Sequence, residues 1–251
     1  MRKSLWVPRP ATSGFSTALR MARVYGVACY VEPLLARRVI DGAVDRVAEQ
    51  KDDALFLVSS RYVFDALCSR HALLTRRYLC VGERSAAYAQ NLGFSRASFG
   101  GTDAISLCDL ALTLPQGDVV YVSAEAPRLN VDAKLRQFGI NATSVALYRT
   151  EKAKEISRAG KFLLKNRLIG AVALYSVAMA EAWTETTEGQ SDALRVLPHV
   201  CISEAVAKRV VDMHGERVIL IADAPTAEAT ERVAARAMSI YLLHNPLGRG
   251  E

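Results

Sequence analysis

The fold class of this chain is indicated most clearly by residues 54–60, which read Ala54-Leu55-Phe56-Leu57-Val58-Ser59-Ser60. The apolar run is continuous rather than alternating. It stops at two serines, after which a helical pattern begins at Arg61. A short continuous apolar run that ends just before a helix is typical of a strand buried on both faces of a parallel sheet. The stretch therefore predicts an α/β protein whose sheet is covered by helices on both sides.

Runs of the same kind, most of them followed by a helical pattern, occur along the whole chain. The predicted strands cover residues 5–7, 27–31, 54–58, 78–81, 118–122, 171–175, 199–202 and 218–221. The predicted helices cover residues 17–25, 61–69, 85–92, 129–138, 179–183 and 204–213, with a last long helix that opens at Thr226. This alternation of apolar strands and helices predicts parallel sheets that are covered on both faces.

The chain also carries a weak internal repeat. Residues 54–60 resemble residues 171–177, 117 positions later, because each is an apolar run that ends at a serine. Residues 79–86 align with residues 200–207, 121 positions later. Two similar α/β modules explain this repeat; the alternative is a single sheet, because short windows of all α/β proteins look alike. With the segments 31–39 and 145–151 as connections, the first module comprises residues 1–33 plus 152–251, and the second comprises residues 38–146.

Charge and composition narrow the classes of partner. The chain has 251 residues, and its 32 Lys and Arg exceed its 26 Asp and Glu by 6, a balance that suits nucleic acid, anionic lipid or a polyanionic small molecule. The alternative is a solvated, slightly basic surface without such a partner. No basic tail or aromatic-interleaved basic run is present, which disfavours nucleic acid. No apolar run approaches the roughly 20 residues that span a bilayer, and none follows the basic N-terminus as in a signal peptide. We therefore expect a cytoplasmic protein without a membrane partner.

Cysteine and histidine spacing gives no sign of a metal site. The five cysteines are scattered without a Cys-x-x-Cys pair, and the four histidines lie far apart in the sequence. This pattern predicts reduced, mostly buried thiols and no bound metal.

Small or polar residues follow most of the predicted strands, and arginines follow some of them. The carboxyl ends of parallel strands share one edge, where the free N–H groups and positive dipole ends of the following helices can bind carboxylates or phosphates. For any single serine the alternative is an ordinary N-cap, and for any single arginine it is a solvent-facing side chain. Their recurrence predicts a ligand with several acidic groups. The residues are Ser59-Ser60, Gly82, Ser123-Ala124, Ser176 and Ser203, with Arg9, Arg61, Arg84 and Arg128.

Taken together, these segments resemble the uroporphyrinogen-III synthase family in order and spacing. Arg128 keeps the arginine of a family Gly-x-x-x-Arg stretch, whereas Ser123-Ala124 replaces its Arg-Gly and Ala205-Val206 replaces its threonines. The matching motifs are Val7-Pro8-Arg9-Pro10 beside Val-Thr-Arg-Pro, Leu57-Val58-Ser59-Ser60-Arg61-Tyr62-Val63 beside Phe-Thr-Ser-x-x-Ala-Val, Val81-Gly82-Glu83-Arg84-Ser85-Ala86 beside Val-Gly-x-x-Thr-Ala, and Leu147-Tyr148-Arg149-Thr150 beside Val-Tyr-Arg-Thr.

The resemblance implies a fold and an activity. The fold is two flavodoxin-like α/β modules with parallel sheets, joined by a two-stranded connection. The activity is a cyclising hydro-lyase of haem biosynthesis that closes hydroxymethylbilane, a tetrapyrrole with eight carboxylates, with loss of water and inversion of ring D. No metal and no organic cofactor are implied. We also expect a monomer that receives its substrate by transient hand-over from hydroxymethylbilane synthase.

The implied reaction suggests roles for individual residues, and for Tyr148 the reason is its place in the predicted connection 145–151. Tyr148 is the candidate that supplies or orients the proton for the leaving hydroxyl; the alternative is a packed connection residue whose own hydroxyl is bound locally. Two other functions stay open at this point, a two-module protein that binds an anionic ligand without chemistry and an inactive paralogue of the synthase. The predicted substrate-binding residues are Arg9, Ser59, Ser60, Arg61, Gly82, Arg84, Arg128, Ser176, Ser203 and Ala205.

Overall fold

The computed structural model describes residues 3–114, 117–127, 129–188 and 194–243 of the chain. The chain divides into two compact units, one formed by residues 1–36 and 151–251 and the other by residues 37–150. The module boundaries and connecting segments expected from the repeat remain a prediction about domain organisation.

Helices and strands alternate along nearly the whole described chain, as the apolar runs predict. In chain order they are β1 (Ser4–Val7), α1 (Ala11–Tyr25), β2 (Cys29–Val31), β3 (Leu35–Val39), α2 (Ala43–Ala48), β4 (Leu55–Val58), α3 (Tyr62–Leu67), a 3-10 turn (His71–Leu73), β5 (Arg77–Val81), α4 (Glu83–Asn91), β6 (Ala97–Gly101), α5 (Ala104–Thr113), β7 (Val119–Ala124), α6 (Val131–Gln137), β8 (Ala142–Lys152), α7 (Arg158–Lys165), β9 (Ile169–Leu174), α8 (Val177–Thr186), β10 (His199–Cys201), α9 (Glu204–His214), β11 (Ile219–Ile221) and α10 (Ala227–Leu243).

The strands assemble into two sheets. The first has the order β11-β10-β9-β1-β2, and every pairing within it is parallel. The second has the order β3-β8-β7-β4-β5-β6, and strands β4 to β8 pair in parallel. The chain crosses from one unit to the other within β3 and within β8, which are neighbours in the second sheet. The predicted fold class, an α/β protein with two sheets in which parallel pairing dominates, is confirmed.

The central strands of both sheets are buried on both faces, and this explains the continuous apolar runs. Along β4, Phe56 and Val58 belong to one apolar cluster, whereas Leu55 and Leu57 belong to another. Because successive strand residues point to opposite faces, each face of a doubly covered strand needs apolar side chains. Among the described residues, no helix is long and apolar enough to cross a membrane.

The two sheets differ in strand order, and the order locates the binding edge of each. When the strands of each sheet are numbered by their order in the chain, the first sheet has the flavodoxin-like order 2-1-3-4-5, which is β2-β1-β9-β10-β11. In the second sheet, the five strands from β4 to β8 have the order 3-2-1-4-5, which is β6-β5-β4-β7-β8. Ligands of open α/β sheets bind at the carboxyl ends of the strands where the order reverses. That point lies between β1 and β9 in the first unit and between β4 and β7 in the second.

Candidate active site

The first unit presents three of the predicted residues at the carboxyl edge of its sheet. Arg9 follows β1, Ser176 follows β9 and Ser203 follows β10, and these three strands are neighbours. Arg9 and Ser176 therefore flank the point at which the strand order reverses. The parallel sheet explains why residues far apart in the chain share this edge.

Arg9 lies against Tyr175, the residue that follows β9. The Arg9 guanidinium carbon is 4.3 Å from the centre of the Tyr175 ring, and Nη1 donates a 3.1 Å hydrogen bond to Oγ1 of Thr17. The buried carboxylate of Glu231, paired with Arg20 at 2.6 Å, adds negative charge nearby. Burial, followed by the charge of Glu231, raises the pKa of the Tyr175 hydroxyl, so this hydroxyl stays protonated in the neutral range.

Helix starts supply further polar groups at this edge. The Ser176 hydroxyl accepts a 3.2 Å hydrogen bond from the backbone N–H of Met179, so it caps α8. Ser203 stands at the same position before α9, but its side chain forms no capping bond. Ala205, two residues after Ser203, is exposed in the first turn of α9, where backbone N–H groups have no partner within the helix. The arrangement suits an anion at the start of α9.

The second unit places Ser59 and Ser60 at the end of β4. The hydroxyl groups of Ser59 and Tyr121 are 2.9 Å apart, and burial raises the pKa of Tyr121 while the bond to Ser59 acts in the opposite direction. The Ser60 hydroxyl accepts a 3.4 Å hydrogen bond from the backbone N–H of Tyr62, the first residue of α3. Both serines thus take part in local hydrogen bonds that hold the end of β4.

Gly82 and two arginines complete this edge. Gly82 has φ = 80° at the start of α4, a left-handed conformation that favours glycine, and its N–H donates to the carbonyl of Gly101 at 2.8 Å. Arg84 is exposed in the first turn of α4, and Arg61 is exposed at the start of α3 with its guanidinium carbon 5.6 Å from the ring of Tyr88. Arg128 lies outside the described residues.

A shallow cavity adjoins the end of β7. It has a volume of about 310 Å³, and Ser123 and Ala124 are part of its wall. Glu125 also lines it, as does Asp132, whose carboxylate is paired with Arg136 at 2.9 Å. Arg136 lines the cavity too and offsets the charge of Asp132, so Glu125 leaves the lining with an excess of negative charge, which suits an anionic ligand less than the edges where arginines predominate.

Tyr148 owes its orientation to an irregularity in β8. The pairing of β7 with β8 steps from Ser123 opposite Ala146 to Ala124 opposite Tyr148, so Leu147 is an extra residue. Leu147 and Tyr148 then both contribute to the same apolar cluster, although neighbours in a regular strand point to opposite faces. A β-bulge of this kind changes the direction of a side chain.

The Tyr148 ring is held between aromatic and cationic groups. It packs edge-on against Tyr62 with 4.9 Å between ring centres, and the guanidinium carbon of Arg37 is 5.9 Å from the centre of the Tyr148 ring. The side chain is 7% exposed. Among the residues that the structure describes, none forms a hydrogen bond with the Tyr148 hydroxyl, so the locally bound hydroxyl expected of a purely packed residue is not found.

The sequence patterns did not single out four residues that lie beside the predicted ones. Tyr62, Tyr121 and Tyr175 place phenol groups at or next to the strand ends, and Arg37 contacts the rings of Tyr62 and Tyr148. A tyrosine at or next to the end of an apolar run was the available signal for Tyr121 and Tyr175.

Comparison with known proteins matches this chain to one family. The family model described as uroporphyrinogen-III synthase HemD matches residues 18–230. Uroporphyrinogen-III synthetase from Helicobacter pylori has a similar structure, with a TM-score of 0.60 and 17% identity over 94% of this chain and 99% of that one. A mutant uroporphyrinogen III synthase from the extremely thermophilic bacterium Thermus thermophilus gives a TM-score of 0.54 and 16% identity over 97% and 100%. No curated protein sequence matches the chain significantly.

Proposed function

Because this chain belongs to the uroporphyrinogen-III synthase family, we propose that it closes hydroxymethylbilane to uroporphyrinogen III as a cyclising hydro-lyase. The match to the family model over residues 18–230 carries this assignment, and it places the chain among the enzymes of tetrapyrrole biosynthesis. The geometry adds the chemical support, because each unit presents hydroxyl groups, arginines and helix starts at the carboxyl edge of its own sheet.

The acetate and propionate arms of the substrate bind at these edges. In the first unit, Arg9 supplies a charged donor, Ser203 a hydroxyl without a capping bond, and the start of α9 backbone N–H groups near Ala205. In the second unit, Arg61 and Arg84 supply charged donors and Ser59 and Ser60 supply hydroxyl groups. Gly82, whose own N–H is bound to the carbonyl of Gly101, forms the turn that leads into the start of α4. Arg128 joins them by its place in the sequence. The departures from the family pattern at Ser123, in place of an arginine, and at Ala205, in place of a threonine, remove or shorten side-chain donors but retain the backbone N–H groups.

The reaction begins with departure of the terminal hydroxyl. Tyr148 donates a proton to that oxygen, the C–O bond breaks, water leaves, and a cation remains on the bilane. The cation is attacked by the substituted carbon of ring D, which forms a spiro intermediate. Cleavage and reclosure then invert the ring, and loss of a proton completes uroporphyrinogen III. Because the bilane closes without inversion when no enzyme is present, the protein acts mainly by holding the substrate so that the other carbon is out of reach.

We further propose that the protein works in the cytoplasm as a monomer and receives the bilane directly from hydroxymethylbilane synthase. Spontaneous closure of the bilane without inversion is the reason for such a transfer, because it shortens the time the substrate spends in water. The net charge of +6 favours the approach of a ligand with eight carboxylates.

An isomer assay tests the function. The purified protein is supplied with freshly prepared hydroxymethylbilane, and the oxidised porphyrins are separated by chromatography. We expect predominantly the type III isomer. Type I alone, formed at the rate seen without protein, would show that the chain has the fold without the activity.

Replacing Arg9 by alanine tests the binding edge of the first unit. We expect KM for the bilane to rise about tenfold with little change in kcat, because a hydrogen bond to a charged group is lost in both the ground state and the transition state. Arg23→Ala is the matched control, since Arg23 is an exposed arginine at the opposite end of α1. An unchanged KM in folded Arg9→Ala would remove Arg9 from the site.

A further inference from the structure

Tyr62 is fixed at both ends of its side chain. Its backbone begins α3 immediately after the end of β4, where its N–H is bound to the Ser60 hydroxyl. Its own hydroxyl donates a 3.1 Å hydrogen bond to the backbone carbonyl of Arg37 in β3. The phenol of Tyr62 therefore spans from one element to another and has little freedom to turn.

The ring of Tyr62 lies edge-on against Tyr148. The ring centres are 4.9 Å apart and the planes meet at 74°, a favourable arrangement for two aromatic rings. The Arg37 guanidinium carbon is 5.4 Å from the centre of the Tyr62 ring and 5.9 Å from that of Tyr148. Three side chains thus form one cluster in which the cation contacts both rings.

Packing is what sets the direction of the Tyr148 hydroxyl. The backbone of Tyr148 is held by the bulge in β8 and by its carbonyl, which accepts a 2.8 Å hydrogen bond from the N–H of Glu125. Within the described ranges no residue binds the hydroxyl itself. Rotation about the two side-chain torsions is therefore limited by the neighbouring rings, above all by Tyr62.

We propose that Tyr62 is a positioning residue that holds the Tyr148 phenol in the orientation needed to donate its proton during water loss. The inference rests on the proposed function. It concerns a departure from the family motif quoted above, which carries alanine where this sequence has Tyr62. Tyr62→Ala therefore places at this position the residue of that motif.

Kinetics of the full-length protein test the inference. We expect Tyr62→Ala to lower kcat for type III formation about tenfold, because a misdirected proton donor is a geometric fault, while KM changes less than about twofold. Tyr62→Phe retains the ring and loses only the bond to Arg37, so we expect it to recover most of the loss and stay within about threefold of the wild type. In the Tyr148→Phe background, Tyr62→Ala should have no further effect on kcat.

Three outcomes would overturn the inference, and each differs from failure of the proposed function. These are an unchanged kcat in folded Tyr62→Ala, an equal loss in the Tyr148→Phe background, and a loss in Tyr62→Phe as large as in Tyr62→Ala. Failure of the proposed function shows instead as type I product from the wild type. Tyr25→Ala, which removes a partly exposed tyrosine at the end of α1, is the control for ring loss. If Tyr62→Ala does not fold, Tyr62→Leu retains apolar bulk and takes its place in every comparison.

Discussion

Replacing Tyr148 by phenylalanine is expected to lower kcat for uroporphyrinogen III formation by roughly 10²–10⁴-fold, the range that general acid catalysis contributes. The substitution removes one hydroxyl and retains the ring that packs against Tyr62. Because none of the described residues binds this hydroxyl, its loss leaves no buried partner unsatisfied, and the free energy of unfolding should change by less than about 0.5 kcal/mol. The measurement is single-turnover formation of the type III isomer, with chemical denaturation of the same preparation.

Tyr78→Phe is the matched control for Tyr148→Phe. The Tyr78 hydroxyl is buried and donates a 3.0 Å hydrogen bond to the carbonyl of Leu73, away from the predicted binding edge. Its removal should cost about 1 kcal/mol of stability and leave kcat unchanged. If folded Tyr148→Phe retains more than about a tenth of the wild-type kcat, Tyr148 is not the acid. The cation is then stabilised chiefly by the carboxylates of the substrate and by fixed dipoles of the protein.

The parts of the fold that the sequence predicts well are the strands buried on both faces. The apolar runs of sequence that form β4 and β9 are continuous because each face of the sheet needs apolar side chains, so composition alone identifies these strands. Strand β6 reads Ala97-Ser98-Phe99-Gly100-Gly101, with too few apolar residues for such a signal, because it lies at the edge of its sheet. Helix α5 was also absent from the prediction, although Asp103 and Ser106 form a capping box at its start.

The candidate site could be predicted only as a set of strand ends. Parallel strands bring their carboxyl ends to one edge, so Arg9, Ser176 and Ser203 follow from the strand predictions once the topology is known. The orientation of Tyr148 depends on the bulge at Leu147, which no period-2 pattern reveals, because a bulge is set by the pairing of two strands. The contact with Tyr62 depends on that bulge and on the start of α3, and is therefore a tertiary feature.

The buried ring of His199 should make the stability of the folded protein depend on pH in the acidic range. His199 opens β10 and is fully buried. Its Nε2 accepts a 3.1 Å hydrogen bond from Nε1 of Trp183, and its Nδ1 lies 2.8 Å from the carbonyl of Leu197. The neutral ring with the proton on Nδ1 satisfies both bonds, whereas a second proton on Nε2 would oppose the Trp183 N–H. Burial, with smaller effects from the charges of His214 and Arg217, lowers the pKa of His199 to about 4.

The pH dependence of unfolding should therefore carry a contribution from His199 of about 3 kcal/mol between pH 7 and pH 4. The unfolded chain binds a proton on this ring below about pH 6.5, whereas the folded protein binds it only near pH 4, so the stability contributed by the neutral ring is complete above 6.5 and is lost as the pH falls through this window. Denaturation at several pH values measures this effect: between pH 7 and pH 4, the free energy of unfolding of His199→Gln should fall by about 3 kcal/mol less than that of the wild type. His214→Gln, which changes the less buried histidine, is the control, and its pH dependence should stay closer to that of the wild type. Parallel curves for wild type and His199→Gln, or a His199 NMR resonance that titrates with a midpoint near pH 6.5, would show that the ring of His199 is protonated as readily in the folded protein as in the unfolded chain.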